Sequence, residues 1–238
     1  MKFKYLTIAA FIVPASLQAA TIGTAGTITD TTPPGFGSGT DVANFDSAGV
    51  GTDGFVLFNS VVEGTNISNR PWNENIVDSK PAYITSLDGS ASATSSGGWA
   101  NYDDITVGGT NYNTGGLAGP ANVETALMTF QLGAGVPTDF TIGVIANNSD
   151  SAAWGTTNIR IEGPGAVTAS QAVAINGGTD LVQFDINGGV AGETYTVHVT
   201  GSTSGALIGG LAFDSIPEPS SIGLFLLGGL AGLGRRRR

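Results

Sequence analysis

The sequence predicts an all-β fold, a single two-layer antiparallel β-sandwich, on three observations. Short runs rich in β-branched and aromatic residues recur along the chain with turn residues between them. No stretch carries the apolar periodicity of an amphipathic helix of useful length. Glycine is abundant, at 37 of 238 residues, while charged residues make up 12%, against about 25% in ordinary soluble domains. The roughly 190 residues between the two ends suffice to bury a two-sheet core.

Met1 to Ala20 has the three parts of a secretory signal helix. Lys2 and Lys4 are its positive start, Leu6 to Val13 its uncharged apolar run, and Pro14 leads into small residues ending at Ala19-Ala20. Cleavage after Ala19 places Leu17 three residues before the bond, and cleavage after Ala20 places Gln18 there. Neither is small, so both bonds stay open. Export through the Sec translocon follows.

Residues 21–215 form the predicted sandwich domain. Its first third reads as loose, with a Pro- and Gly-rich loop from Thr31 to Gly39, small residues from Ser90 to Gly98, and an Asn- and Gly-rich loop from Asn111 to Pro120. The predicted strands are Phe55–Val62, Ala82–Leu87, Thr125–Leu132, Phe140–Ala146, Asn158–Glu162, Val167–Ile175, Leu181–Ile186, Thr194–Thr200 and Ala206–Phe213. Tyr195, Val197 and Val199 share one face of their strand, and Thr194, Thr196, His198 and Thr200 share the other. Asn176-Gly177-Gly178 and Asn187-Gly188-Gly189 are turn sequences between runs. They predict an antiparallel meander for the last three strands. No fixed-period repeat and no second domain are visible.

The last element, residues 216–238, differs from everything before it. Pro217-Glu218-Pro219 is followed by Ser220-Ser221, by an uncharged run from Ile222 to Gly234, and by Arg235, Arg236, Arg237 and Arg238. Those 13 residues fall short of the ~20 that a spanning helix normally needs. Gly223, Gly228, Gly229 and Gly232 weaken the helix further. The arginines act as a stop-transfer block, held in the cytoplasm. A short hydrophobic helix with such a block behind it suits temporary retention before a cut.

Charge separates the ends from the middle. Residues 21–220 hold Arg70, Lys80 and Arg160 against all 19 acidic residues, a net of −16. Such a domain repels nucleic acid and anionic headgroups. With no cysteine and one histidine, disulfide scaffolds, thiol enzymes and multi-histidine metal centres are excluded.

Candidate sites are few. Trp72, Trp99 and Trp154 lie beside turn-like segments. They are the candidates for stacking on sugar rings, the alternative being that they cap the core. Asp46, Asp53, Asp78, Asp88, Asp103, Asp104, Asn111 and Asn113 sit in or near predicted loops. Oxygens of that kind suit a structural calcium ion, with no ligand set defined. No other cofactor is evident. Gly35-Phe36-Gly37-Ser38-Gly39 has no strand-to-helix context and reads as a loop rather than a phosphate cradle. His198 lacks a Gly-x-Ser-x-Gly partner and reads as a strand histidine on a Thr-rich face. Asp103 and Asp104, as neighbours on an extended chain, point to opposite faces and make no glycosidase pair. No catalytic residue emerges.

Pro217-Glu218-Pro219, the short span and the arginine end closely resemble the PEP-CTERM sorting signal of exported proteins in Gram-negative bacteria that make exopolysaccharide. The resemblance implies recognition by exosortase, a membrane cysteine protease-transpeptidase, and removal of the span and arginines. It implies a transient inner-membrane anchor, followed by the outer surface or the extracellular matrix. The run from Glu124 to Ile216 also resembles the jelly-roll sandwiches often found ahead of this tail, through Phe140-Thr141-Ile142-Gly143-Val144-Ile145, Ile159-Arg160-Ile161, Val182-Gln183-Phe184-Asp185-Ile186, Ala191-Gly192-Glu193-Thr194-Tyr195 and Gly209-Gly210-Leu211-Ala212-Phe213-Asp214. That likeness implies affinity for exopolysaccharide or another glycan. The expectation is a non-catalytic structural or adhesive protein, the alternative a secreted glycan-active hydrolase on the same scaffold.

Overall fold

The computed structural model describes residues 20–29, 45–58, 60–62, 76–89, 94–95, 102–114, 117–120, 122–146, 156–174, 180–201 and 207–216. The signal segment up to Ala19 and everything after Ile216 lie outside them, so the two predicted terminal helices do as well. The first half of the chain gives β1 (Thr21–Thr29), the single helical turn α1 (Phe45–Ala48), β2 (Gly54–Leu57), β3 (Ser60–Val62), β4 (Val77–Ser79), β5 (Ile84–Gly89), β6 (Thr94–Ser95), β7 (Tyr102–Val107), β8 (Thr110–Thr114) and β9 (Leu117–Ala118). The second half gives β10 (Thr125–Leu132), β11 (Asp139–Ala146), β12 (Thr156–Glu162), β13 (Thr168–Ala174), β14 (Asp180–Asn187), β15 (Thr194–Gly201) and β16 (Leu207–Ser215).

Two antiparallel sheets dominate. The first runs β1-β14-β11-β16-β2-β4, with the short β9 and β6 continuing from the start of β16, and the second runs β13-β12-β15-β10-β5. Their facing sides supply one core. Phe140, Ile142, Val144, Val182, Phe184, Ile186, Leu211 and Phe213 meet Leu127, Phe130, Leu132, Ile159, Ile161, Tyr195, Val197 and Val199. The strands present alternate residues to it, as a two-residue period requires, except where β10 is bulged at Leu127. Phe130 stacks on Tyr195 with ring centroids 5.4 Å apart, and the edge of Phe213 closes on Phe130 at 5.9 Å.

The predicted meander is not formed. β14 and β16 lie in the first sheet and β15 lies in the second. From β10 to β16 the chain changes sheet at every connection but one, the β12–β13 hairpin across Pro164–Ala166. Alternating burial shows which face of a strand is inward, but it is silent on which sheet the strand joins. The connection at 188–193 is long enough to cross the ~10 Å between packed sheets.

The loose reading of the first third also needs correction. β1 forms an edge of the first sheet, paired along its length with β14 and offset at Ala25. Residues 111–120, expected as a loop, contain most of β8 and all of β9. β7 and β8 form a hairpin, joined by β3 in a small third sheet. Gly108 and Gly109 make its two-residue turn, with φ of 60° and 73°, a backbone that fits the twist of a hairpin and favours glycine. Ile105 and Val107 pack with Phe45, Val50, Phe55, Leu57, Ile145, Leu181 and Ala212 into a second apolar cluster. The first sheet is therefore covered on both faces in this region. β2 shows the consequence, a four-residue strand buried at every position.

Candidate functional site

Both ends of the described sandwich leave from one pole. Thr21 pairs with Asn187, Asn187 pairs with Asp139, and the Ile216 N–H donates to the Asp139 carbonyl at 3.1 Å. β14 and β11 separate β1 from β16, so three steps of about 4.8 Å put the two chain ends roughly 15 Å apart.

The carboxyl end is gripped there. β16 lies inside the first sheet, hydrogen-bonded to β11 on one side and to β2 on the other. Past the end of the β2 ladder, the turn at 51–53 continues the hold. The Asp214 carboxylate accepts from Gly51 N–H (2.9 Å), Thr52 N–H (2.7 Å) and Thr52 Oγ1 (2.9 Å). The Asp53 carboxylate accepts from Ser215 N–H (2.7 Å), Ser215 Oγ (3.3 Å) and Tyr83 Oη (3.0 Å). Asp53 N–H in turn donates to the Phe213 carbonyl at 3.1 Å. Burial first, and the bond to Asp53 second, push the Tyr83 phenol well above its usual range, so it remains a donor. Charge-assisted bonds of this type are stronger than neutral ones. Together they make a clasp that ends at Ser215, two residues before Pro217.

The other acids of the pole serve their own loops. The Asp139 carboxylate accepts from Gly188 N–H, and Glu193 Oε2 accepts from Val190 N–H and Tyr195 Oη. Asp46 accepts from both glycine N–H groups of the β7–β8 turn, each at 2.8 Å. Asp78 pairs with Lys80. Among the described residues no group of three or more His, Asp or Glu side chains is arranged to hold a metal ion. The calcium candidates fall at Asp46 in α1, Asp53 in the clasp, Asp78 in β4, Asp88 in β5, and Asp103, Asp104, Asn111 and Asn113 on the β7–β8 hairpin. Trp72, Trp99 and Trp154, Pro217-Glu218-Pro219 and Arg235–Arg238 all lie outside the described residues.

A second polar constellation stands on the outer face of the second sheet. Arg160 in β12 is paired across the ladder with His198 in β15. Its guanidinium donates to Glu124 Oε1 from Nε at 2.6 Å and to Glu162 Oε2 from Nη1 at 2.7 Å. His198 Nε2 lies 3.2 Å from Glu162 Oε2, an electrostatic contact rather than an aligned hydrogen bond. Arg160 holds the carboxyls of Glu124 and Glu162 below their ordinary range, chiefly through these hydrogen bonds. Burial, and then the Arg160 charge, hold the His198 imidazole below its ordinary 6.5, outweighing the two glutamates. Of the four, only His198 stands out in the sequence. The alternation Arg160-Ile161-Glu162 on one strand is the signal that places two of its partners.

A pH dependence follows. Unfolded chain takes up a proton at His198 near pH 6.5, whereas the folded domain does so only at lower pH, so stability declines as pH falls through that window. The glutamates add a further loss in stronger acid. That loss is small, because both carboxyls are more than a third exposed and screened by water. Urea midpoints measured from pH 7 to pH 5 should fall for the unaltered domain and stay nearly level for His198→Gln. Because the chain has a single histidine, one imidazole resonance reports the folded titration directly, and it should come below 6.5.

Residues 215–238 match the PEP-CTERM protein-sorting motif. The clasp at Ser215 therefore sits where the folded domain hands over to a sorting signal. The motif indicates an exported protein with a C-terminal membrane-anchor signal, sorted through exosortase. No curated protein matches the chain. Among the described residues no helix is long and apolar enough to cross a membrane.

Proposed function

We propose that the mature protein is a non-catalytic structural or adhesive module with glycan affinity. In this reading it is a jelly-roll sandwich running from Thr21 to the Pro217-Glu218-Pro219 motif, set free at the cell surface or in the extracellular matrix of a Gram-negative, exopolysaccharide-making bacterium. The observation that carries it is the sorting motif at 215–238, joined to an acidic β-sandwich. Repeated sheet switching from β10 to β16 supports the jelly-roll assignment. Trp72, Trp99 and Trp154 are the stacking residues this reading assigns. The reading needs no cofactor, and a calcium ion would serve only to brace loops. The hydrolase alternative wants one carboxyl held protonated near neutrality as a general acid. Glu124 and Glu162, the acids gathered around Arg160, are shifted the opposite way.

Processing of the tail provides the test. A weak 13-residue span cannot hold firmly in the bilayer, while four arginines prevent its passage. Mass spectrometry of the released protein should find a chain beginning near Thr21, lacking Leu226 to Gly234, and recovered with the exopolysaccharide fraction. Deleting Arg235–Arg238 should let uncut precursor escape. Replacing Pro217-Glu218-Pro219 should leave it in the membrane. Peptides from Leu226 to Gly234 in the released form would overturn the sorting reading, and absence from the exopolysaccharide fraction would overturn the glycan affinity alone.

A further inference from the structure

We propose that Asp53 and Asp214 are positioning residues for tail processing. Asp53 grips Ser215 and Asp214 fastens the end of β16 to the turn at 51–52, and together they confine the chain that a membrane protease can take up to the residues after Ile216. This inference rests on the sorting reading above and adds to it the step that limits the cut.

A protease reads its substrate as an extended strand, through main-chain hydrogen bonds on both sides of the bond it cleaves. Upstream of Pro217 those main-chain groups are already engaged. Ser215 and Asp214 face Phe140 and Thr141 of β11 on one edge. On the other edge the Asp53 carboxylate takes the Ser215 N–H, and Asp53 N–H takes the Phe213 carbonyl. Ile216 N–H is used by Asp139. Asp214 fastens the turn at 51–52 to the same strand. No free linker lies between this ladder and Pro217. Uptake of residues before Pro217 therefore requires the clasp to open, a local unfolding event with its own equilibrium. The state of the fold and the rate of the cut become coupled at a single point.

The coupling can be measured by pulse-chase of the full precursor in producing cells. An insert of about twelve Gly and Ser residues between Ile216 and Pro217 supplies free extended chain and touches no hydrogen-bonded residue. It should speed conversion of precursor to mature protein by at least about tenfold, the factor that opening even one charge-assisted bond imposes. The pair Asp53→Asn and Asp214→Asn should also speed conversion in the natural chain, and should have no effect once the insert is present.

Equal rates with and without the insert would overturn the proposal, whatever the aspartate variants do. An aspartate effect of the same size in both backgrounds would overturn it too, since that is the mark of general destabilisation. Failure of the unaltered precursor to convert at all would instead remove the sorting reading, and this inference with it.

Discussion

Phe130→Ala is expected to cost the sandwich about 3–5 kcal/mol, the range for deleting a large buried aromatic side chain. Phe130 is fully buried, and it lies between a stacked Tyr195 from the same sheet and an edge-on Phe213 from the facing one. Its loss leaves a cavity at the point where the two sheets touch through three rings. The surrounding strands cannot collapse into it, because each is held by ladders on both sides. For a domain of this size the melting temperature should fall by about 6–20 °C. Val190→Ala is the control. Val190 is 45% exposed on the pole, and its replacement should change stability by no more than about 0.5 kcal/mol. Calorimetry of the two variants against the unaltered domain gives the comparison directly.

Gly210→Ala is expected to do comparable damage by the opposite route, by adding an atom. A Cβ on Gly210 would stand 2.3 Å from the Val56 carbonyl oxygen and 3.0 Å from a Leu57 methyl. The nearest obstacle is the backbone of β2 itself, so no side-chain rotation relieves the clash. β16 and β2 must separate where Gly210 faces Leu57. That separation uncovers the second apolar cluster, to which Leu57, Ile145 and Ala212 all belong. The loss should be about 3 kcal/mol or more. Hydrogen exchange locates it: amides of residues 54–57 and 210–213 should lose protection first, while β10, β12 and β15 in the other sheet keep theirs. Uniform loss across both sheets would contradict this account.

The strands legible in the sequence were those with one clean apolar face. β12 and β15 alternate between buried and more exposed positions along their length, and β10, β11 and β14 do so over part of theirs, enough with the flanking turn residues to mark all five as strands. β7 and β8 lacked it. Their sequence is dense in Asp, Asn, Thr and Gly, and the apolar side chains of Ile105, Val107 and Tyr112 are too few to set a period. Even so, Gly108-Gly109 between two β-prone runs is a hairpin signal of the ordinary kind. β1 was hidden for another reason. Threonine, glycine and alanine make up most of it, so its strand character comes from pairing with β14, a long-range fact. The clasp was out of reach on the same grounds. Asp53 and Asp214 are 161 positions apart in the sequence, and only the fold brings the turn at 51–53 against the end of β16. The sorting signal needed none of this, because its parts are contiguous and act through order and spacing.

The pairing of β1 with β14 also bears on time. An exported chain that crosses a membrane amino end first delivers β1 long before residues 180–187, its partner. The centre of the same sheet waits longer still, for β16 at 207–215. Folding dominated by such distant pairings is slow, on the millisecond-to-second scale of all-β domains. Until then β1 is an unpaired strand without a single charge, open to pairing with any other chain nearby. Ser215 completes the sheet, and the four arginines lie only some twenty residues behind it. In the processing route proposed above, the tail halts the chain at the moment its last strand becomes available. On that proposal each molecule closes its sheet while still anchored, before release exposes an unpaired β1 to its neighbours.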